Sequence, residues 1–267
     1  MREICDDFLA EATYLYKAFK TLPDPVWQQE TAFMDWTPWD VVAHLHYYDL
    51  VGMSSADGPA SFRLEYDRLM DEICKGKFNQ TIARERFEHL GAPELLDTWR
   101  ETATKLATRF SGLDPSSRLP WFGPDMSARM FLTARYMEAW SHAQSIFDLA
   151  GRSRIYTDSV RHVATIGVKT FGWTFKNRGL EPAGVCPRVE LTAPSGAVWT
   201  WNEDNSADLV KGGAVDFGLV VTQARNIADT GLAVTGPVAK AWMKVAQCFA
   251  GPPVDPPPPG IRGAAQS

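Results

Sequence analysis

Cysteine and histidine are scarce in this chain, and their placement excludes several chemistries. The four cysteines, Cys5, Cys74, Cys186 and Cys248, lie far apart with no C-x-x-C pair. That spacing rules out zinc-ribbon and thioredoxin-type motifs and fits reduced thiols in a cytoplasmic setting. Runs of lysine or arginine are missing and the formal net charge is −5, so the basic stripe that phosphate binding needs is absent and nucleic acid is not an expected partner. No apolar run reaches the roughly 18 residues of a membrane span. The start, Met1-Arg2-Glu3-Ile4-Cys5-Asp6-Asp7, lacks the basic and apolar regions of a signal peptide. A cytoplasmic protein acting on a small molecule, as monomer or homodimer, is the expectation.

What is present is a length of 267 residues with 45% hydrophobic and 22% charged side chains, enough for two cores. Residues 3–21 carry a helical stripe of Phe8, Leu9, Ala12, Leu15 and Phe19, ended by Leu22-Pro23-Asp24-Pro25. Thr37-Pro38-Trp39-Asp40 opens a second helix, with Thr37 at the N-cap, Pro38 at the first helical position and Asp40 where a capping-box acid belongs. That helix is expected to reach about Met53, before Gly58-Pro59. A further helix or pair of turns is expected over 60–76, and a long helix from Pro93 to Phe110. After the aromatic loop Leu119-Pro120-Trp121-Phe122-Gly123-Pro124, another runs from a cap at Asp125 to Ala150, with Gly151 as its left-handed end. Long helices with short connections predict an antiparallel four-helix bundle.

Beyond residue 151 the pattern changes. Residues 156–178 read as one helix. Val189–Thr192 and Val198–Trp201, joined by Pro194-Ser195-Gly196, read as a hairpin. Residues 213–225 and 236–249 read as helical, with a short strand near Leu232-Ala233-Val234. The fold class is thus α + (α+β): a bundle over 1–153, an α+β module over 154–250 and a Pro-rich tail over 251–267 that need not pack.

Five histidines occur: His44, His46, His89, His142 and His162. Glu138 and His142 are one helical turn apart on a face with Phe131, Ala134, Ser145 and Leu149. A carboxylate facing a bundle interior needs a positive partner, and a metal ion is one. A third ligand must come from another helix. His44 shares a stripe with Val41, Tyr48 and Val51, whereas His46 lies about 200° around the same helix with Val42 and Leu50. Periodicity does not choose between them. Two imidazoles and a carboxylate make a common open zinc set, which iron, manganese or nickel also use. The plainer alternative pairs Glu138 with Arg135 and makes His142 a hydrogen-bonded core residue. Asp40 reads as a helix cap, and Trp36, Trp39, Trp121 and Trp140 as packing residues. His89 and His162 read as solvated.

The run Trp36-Thr37-Pro38-Trp39-Asp40-Val41-Val42-Ala43-His44-Leu45 resembles the second-helix signature of the DinB-like metal-binding four-helix bundles. The branch it is most similar to contains mycothiol-dependent maleylpyruvate isomerase. Arg135-Tyr136-Met137-Glu138-Ala139-Trp140-Ser141-His142, followed by Asp148-Leu149-Ala150-Gly151, resembles the fourth-helix signature of that branch. The segments Ala214–Phe217, Thr222–Arg225, Asp229–Leu232 and Ala241-Trp242 through Pro253 resemble the C-terminal module of an actinobacterial-type subfamily, similar to a sterol-carrier-like α/β domain. The resemblance implies His44, Glu138 and His142 as metal ligands, with zinc the expected divalent ion, and Arg225 as the arginine that holds substrate anions.

It also implies an enzyme that activates mycothiol or another low-molecular-weight thiol for S-transfer or isomerisation. Two other readings stand beside it. One is a zinc-dependent hydrolase or lyase using metal-bound water, with Asp40, Asp49 or His46 as the nearby base. The other is a non-enzymatic metal- or lipid-binding protein.

Overall fold

The computed structural model describes residues 1–263. The chain divides into two compact units, Met1–Ile146 and Phe147–Ser267. The first is helical: α1 (Arg2–Phe19), α2 (Pro38–Asp57), α3 (Pro59–Cys74), α4 (Asn79–Phe87) and α5 (Ala92–Ser111), then a two-residue hairpin of β1 (Arg118–Leu119) and β2 (Met126–Ser127), then α6 (Ala128–Leu149). α1, α2, α5 and α6 form the expected bundle. α1 buries Ile4, Phe8, Ala12, Leu15 and Phe19 and packs along α5, which buries Leu95, Trp99, Leu106 and Phe110 of its own. α6 joins through Phe131, whose ring lies 5.4 Å from that of Phe110. Gly52 permits the close approach: a Cβ there would stand 3.2 Å from Leu106 and 3.3 Å from Phe131.

The N-terminus of α2 is built as its sequence predicts. The Thr37 hydroxyl accepts from the Asp40 amide, and the Asp40 carboxylate accepts from the Thr37 amide. Asp40 also accepts from Arg84 at 2.6 Å and from Gln80 at 3.0 Å, both on α4. Sequence periodicity misses α4, because only Ile82, Ala83 and Phe87 of its nine residues are buried. Burial raises the pKa of Asp40, yet its partners, Arg84 foremost, outweigh that and leave it below the ordinary 3.8. A depressed folded-state pKa contributes stability above the unfolded value and loses it as pH falls through the folded one. Asp40→Asn is therefore expected to cost about 1–2 kcal/mol at neutral pH, mostly through the cap because Arg84 is 46% exposed. Urea titrations should show variant and wild type converging on acidification below the ordinary carboxylate range. A constant gap would remove the carboxylate from the account.

One of the two expected limits of α6 shifts. Asp125 is exposed and is not the cap; Ser127 takes that place, its hydroxyl accepting from the Met130 amide. Gly151 does take the left-handed conformation, with φ of 60°.

In the second unit the single helix expected over 156–178 is two, α7 (Arg161–Lys169) and α8 (Phe171–Lys176), broken at Thr170, whose hydroxyl bonds back to the Ile166 carbonyl. The expected hairpin forms from β3 (Arg188–Thr192) and β4 (Val198–Trp201), with Thr192 opposite Val198 and Leu191 opposite Trp199. β5 (Leu209–Gly213), which alternation does not reveal, runs parallel to β3. It is followed by α9 (Ala214–Val221), β6 (Ala233–Thr235) and α10 (Pro237–Met243). Both closing helices are shorter than expected, and the sheet order is β4-β3-β5-β6. α7 and α9 pack closely because Gly167 has no Cβ, which would stand 2.8 Å from Val221.

The tail is not a free extension. Gln223 donates to the Val254 carbonyl, Gln247 donates to Pro252 and accepts from Val254, Asn226 donates to Pro257, and Asp229 accepts from Gly260. Buried amides that proline-rich backbone can satisfy hold it down, since each orphaned buried polar group costs about 1–3 kcal/mol. Residues 264–267 of the tail lie outside the described residues. No described helix is long and apolar enough to cross a membrane.

Candidate metal centre

α2 and α6 bring His44, Glu138 and His142 together. One donor atom from each lies within 4.8 Å of the others. The Glu138 Oε2 stands 3.1 Å from His142 Nε2 and 3.5 Å from His44 Nε2, and the two imidazole centroids are 4.7 Å apart. All three side chains are largely buried, Glu138 the least so at 20% exposed. Helical spacing supplies the Glu138–His142 pair; the crossing of α2 over α6 supplies His44.

His46 goes elsewhere. It is buried against Phe87, with ring centroids 4.6 Å apart, and burial, aided by Arg86, pushes its imidazole down to about 4. Glu138 does not pair with Arg135, because that guanidinium is bound to Asp49 at 2.9 Å with both groups nearly inaccessible. Trp99 completes the Asp49 shell through its indole N–H. Of the two histidines read as solvated, His89 is exposed but His162 is half-buried.

The electrostatics suit a cation. Burial lowers the His44 imidazole to about 4, against the pull of Glu138, so the ring is neutral near pH 7 with a lone pair free. Burial also opposes ionisation of Glu138, but hydrogen bonds with His142 and His44 outweigh it and hold the carboxyl well below its ordinary value. Two imidazoles and one carboxylate are the donor set of open zinc sites. The residues fit a divalent ion.

Aromatic rings orient the imidazoles. His44 Nδ1 and His142 Nδ1 are buried without a protein hydrogen-bond partner, although metal-binding histidines ordinarily donate that N–H to an acceptor. Here Trp36 stacks parallel to His142 at 5.7 Å, Phe33 meets it edge-on at 4.9 Å, and Tyr48 lies 4.7 Å from His44. Trp36 reads from sequence as packing, and what it packs on is this cluster. Phe33 escapes sequence reasoning. It reaches the site through a turn in which Met34 and Asp35 both take positive φ, 51° and 58°, a conformation residue type does not announce. The Phe33-x-x-Trp36 pair ahead of the helix cap is the one available signal.

Arg225, on the loop after α9, is engaged within the second unit. Its Nη2 lies 2.7 Å from Asp148 Oδ1, with both side chains nearly nine-tenths buried, and Nη1 donates to the Ala224 carbonyl.

Comparison with known proteins follows this geometry. Residues 8–147 match the family described as the mycothiol maleylpyruvate isomerase N-terminal domain. Two proteins of Mycobacterium tuberculosis, from strains CDC 1551 (Oshkosh) and ATCC 25618, both described only as uncharacterised, are each 33% identical over 249 residues, covering 92% of this chain and 95% of theirs. The crystal structure of the mycothiol-dependent maleylpyruvate isomerase superposes with a TM-score of 0.54 at 12% identity, over 87% of this chain and 91% of that one. A histidine-to-alanine variant of the isomerase gives 0.51 over 82% and 87%. At that identity the structures speak for the fold, a helical N-terminal unit followed by a small-sheet module. The match across more than half its length places this chain in the mycothiol maleylpyruvate isomerase N-terminal domain family.

Proposed function

We propose that this protein is a metal-dependent enzyme that activates a low-molecular-weight thiol, mycothiol or a relative, for S-transfer to, or isomerisation of, a small electrophile. The observation carrying this reading is a buried cluster with, among the described residues, three protein donors, His44, Glu138 and His142, in a chain of this family. These residues would hold the ion, with zinc the expected metal. When bound, a divalent ion supplies Lewis acidity that favours thiolate over thiol at neutral pH.

The chain's own residues do the rest. Glu138 contributes the negative charge, and His44 is kept neutral by burial. Phe33 and Trp36 cover the cluster and restrict water, which would otherwise compete with the thiol. The thiol gives its proton to solvent and its sulfur bonds to an electron-poor carbon. In transfer a leaving group departs with its electron pair. In isomerisation the π pair moves to a conjugated carbonyl oxygen, the former double bond rotates, and re-formation of the carbonyl and double bond expels the thiolate, which regains a proton from solvent. Arg225 is assigned to a substrate carboxylate, which would take the place of Asp148 on its guanidinium. Arg225→Lys keeps the charge but not the planar fork, and should raise KM for anionic electrophiles relative to neutral ones.

A hydrolase would need a free base beside the cluster. Asp40 caps α2, Asp49 is bound to Arg135, and His46 faces Phe87. The deciding experiment measures thiol consumption by zinc-loaded protein across a panel of thiols and electrophiles, with a chelated control. Turnover needing both metal and thiol supports the reading; metal-dependent turnover without thiol, or no turnover with any thiol, rejects it.

A further inference from the structure

An aromatic file leads away from the cluster. It begins at Tyr48, one turn beyond His44 on α2 with its ring 4.7 Å from the imidazole. Tyr48 meets Trp121 and Phe122, each at 6.1 Å. Phe122 in turn meets Phe62 at 5.3 Å and stacks on Tyr66 at 5.8 Å with planes 20° apart. All of these separations fall in the range of favourable ring pairs. The file is graded in exposure: Tyr48 and Phe62 are buried, whereas Tyr66, Trp121 and Phe122 are half-buried. It therefore runs from the donor cluster to the surface of the first unit.

Core packing accounts poorly for this arrangement. A core cluster is closed to solvent, yet three of these five rings are not. Two of them sit on the loop between β1 and β2: Trp121 also meets the buried core ring of Phe131 at 4.7 Å, whereas the ring contacts of Phe122 all lie within the file. That loop is nonetheless built firmly. The β1–β2 pairing closes its base, the Ala128 amide donates to Ser117 at 2.8 Å, and Ser55 Oγ donates to the Pro120 carbonyl at 2.7 Å. The hydrogen bonds hold Trp121 and Phe122 beside Tyr48 while leaving them partly open.

The charges along the file are already matched. Arg63, over the Tyr66 ring, pairs with Asp67 at 2.8 Å, and Arg135, over Tyr48, pairs with Asp49 at 2.9 Å. Neither offers an unpaired guanidinium to a substrate carboxylate.

We infer that the rings of Tyr48, Phe62, Tyr66, Trp121 and Phe122 form the electrophile-binding wall and select a substrate with a flat, uncharged aryl or extended conjugated group. The inference rests on the thiol-transfer reading for the identity of the site. Stacking on Tyr66, Phe122 and Trp121 would place the attached electron-poor carbon toward His44, and a short alkyl electrophile would leave the outer rings unused.

The test uses zinc-loaded full-length protein and two readouts. The first is equilibrium binding, by calorimetry, of the unreactive ketone 4-phenylbutan-2-one, with butan-2-one as the alkyl reference. Wild type should prefer the phenyl ketone, and Phe122→Ala and Tyr66→Ala should each weaken its binding about tenfold. The second is the ratio of kcat/KM for 4-phenylbut-3-en-2-one to that for but-3-en-2-one with the active thiol, which should fall about tenfold in the same variants. Phe122→Leu keeps apolar bulk without the ring and should fall between, which guards against a general loss of fold. Phe78→Ala, an 80% exposed phenylalanine outside the file, should leave both readouts at wild-type values. Equal affinity of wild type for the two ketones, or an unchanged preference in both alanine variants, overturns the inference. Ring-dependent binding without turnover by any thiol would reject the thiol-transfer reading and leave the wall standing. Turnover with no aryl preference would do the reverse.

Discussion

Arg135→Met is expected to cost about 3–5 kcal/mol of folding stability, the penalty for stripping one partner from a buried ion pair. Arg135 and Asp49 have side chains only 3% and 2% exposed and meet at 2.9 Å. The guanidinium also donates to the Leu45 carbonyl. Methionine retains the apolar stem, so little of the loss would come from volume. What remains is a carboxylate in the bundle core, with the Trp99 indole N–H as its other recorded donor. Burial already holds the Asp49 carboxyl above its ordinary value against the pull of Arg135, and loss of that guanidinium drives it further upward. A folded-state pKa above the unfolded one makes the variant lose stability as pH rises and recover it on acidification. Urea unfolding at several pH values should therefore show the gap from wild type narrowing toward low pH. Asp49→Asn in the same background should restore part of the loss at pH 7. A penalty under about 1 kcal/mol, a value typical of exposed pairs, would mean that water reaches the pair.

His142→Ala should abolish stoichiometric metal binding while the bundle remains helical. Wild type loaded with zinc should carry one equivalent. The variant should hold less than a tenth under the same dialysis, because even partners that merely orient ligands change affinity by about 10–100-fold. Stability gives an independent measure. Zinc at about 100 times Kd should raise wild-type stability by about 2.7 kcal/mol and leave the variant unmoved. Circular dichroism of both metal-free proteins separates ligand loss from unfolding. A full equivalent of zinc retained by the variant would exclude His142 from the site and with it the assigned triad.

Much of this site was legible before any tertiary structure. Glu138 and His142 declare themselves because four residues make a helical turn. The Thr37–Asp40 box is equally plain, since a capping box is a local interaction. The choice between His44 and His46 was not legible from periodicity, and α2 explains why. Every residue from Pro38 to Asp49 is buried, so this helix has no solvated face against which an inward stripe can be recognised. Resemblance to a family signature separated the two histidines where the pattern alone did not.

The sequence by itself determined the helical first unit, the following α+β pattern, and one turn of α6 carrying a carboxylate and an imidazole. Those features depend on residues a few positions apart, whose spacing the chain records directly. Tertiary structure alone decided that Arg135 serves Asp49 rather than Glu138, that Phe33 and Trp36 close over His142, that β5 enters the sheet beside β3, and that the proline-rich tail is pinned by buried glutamines. Each joins groups brought together by chain crossings or irregular turns, where burial and the need to satisfy polar groups select partners. Such selection leaves no period in the sequence.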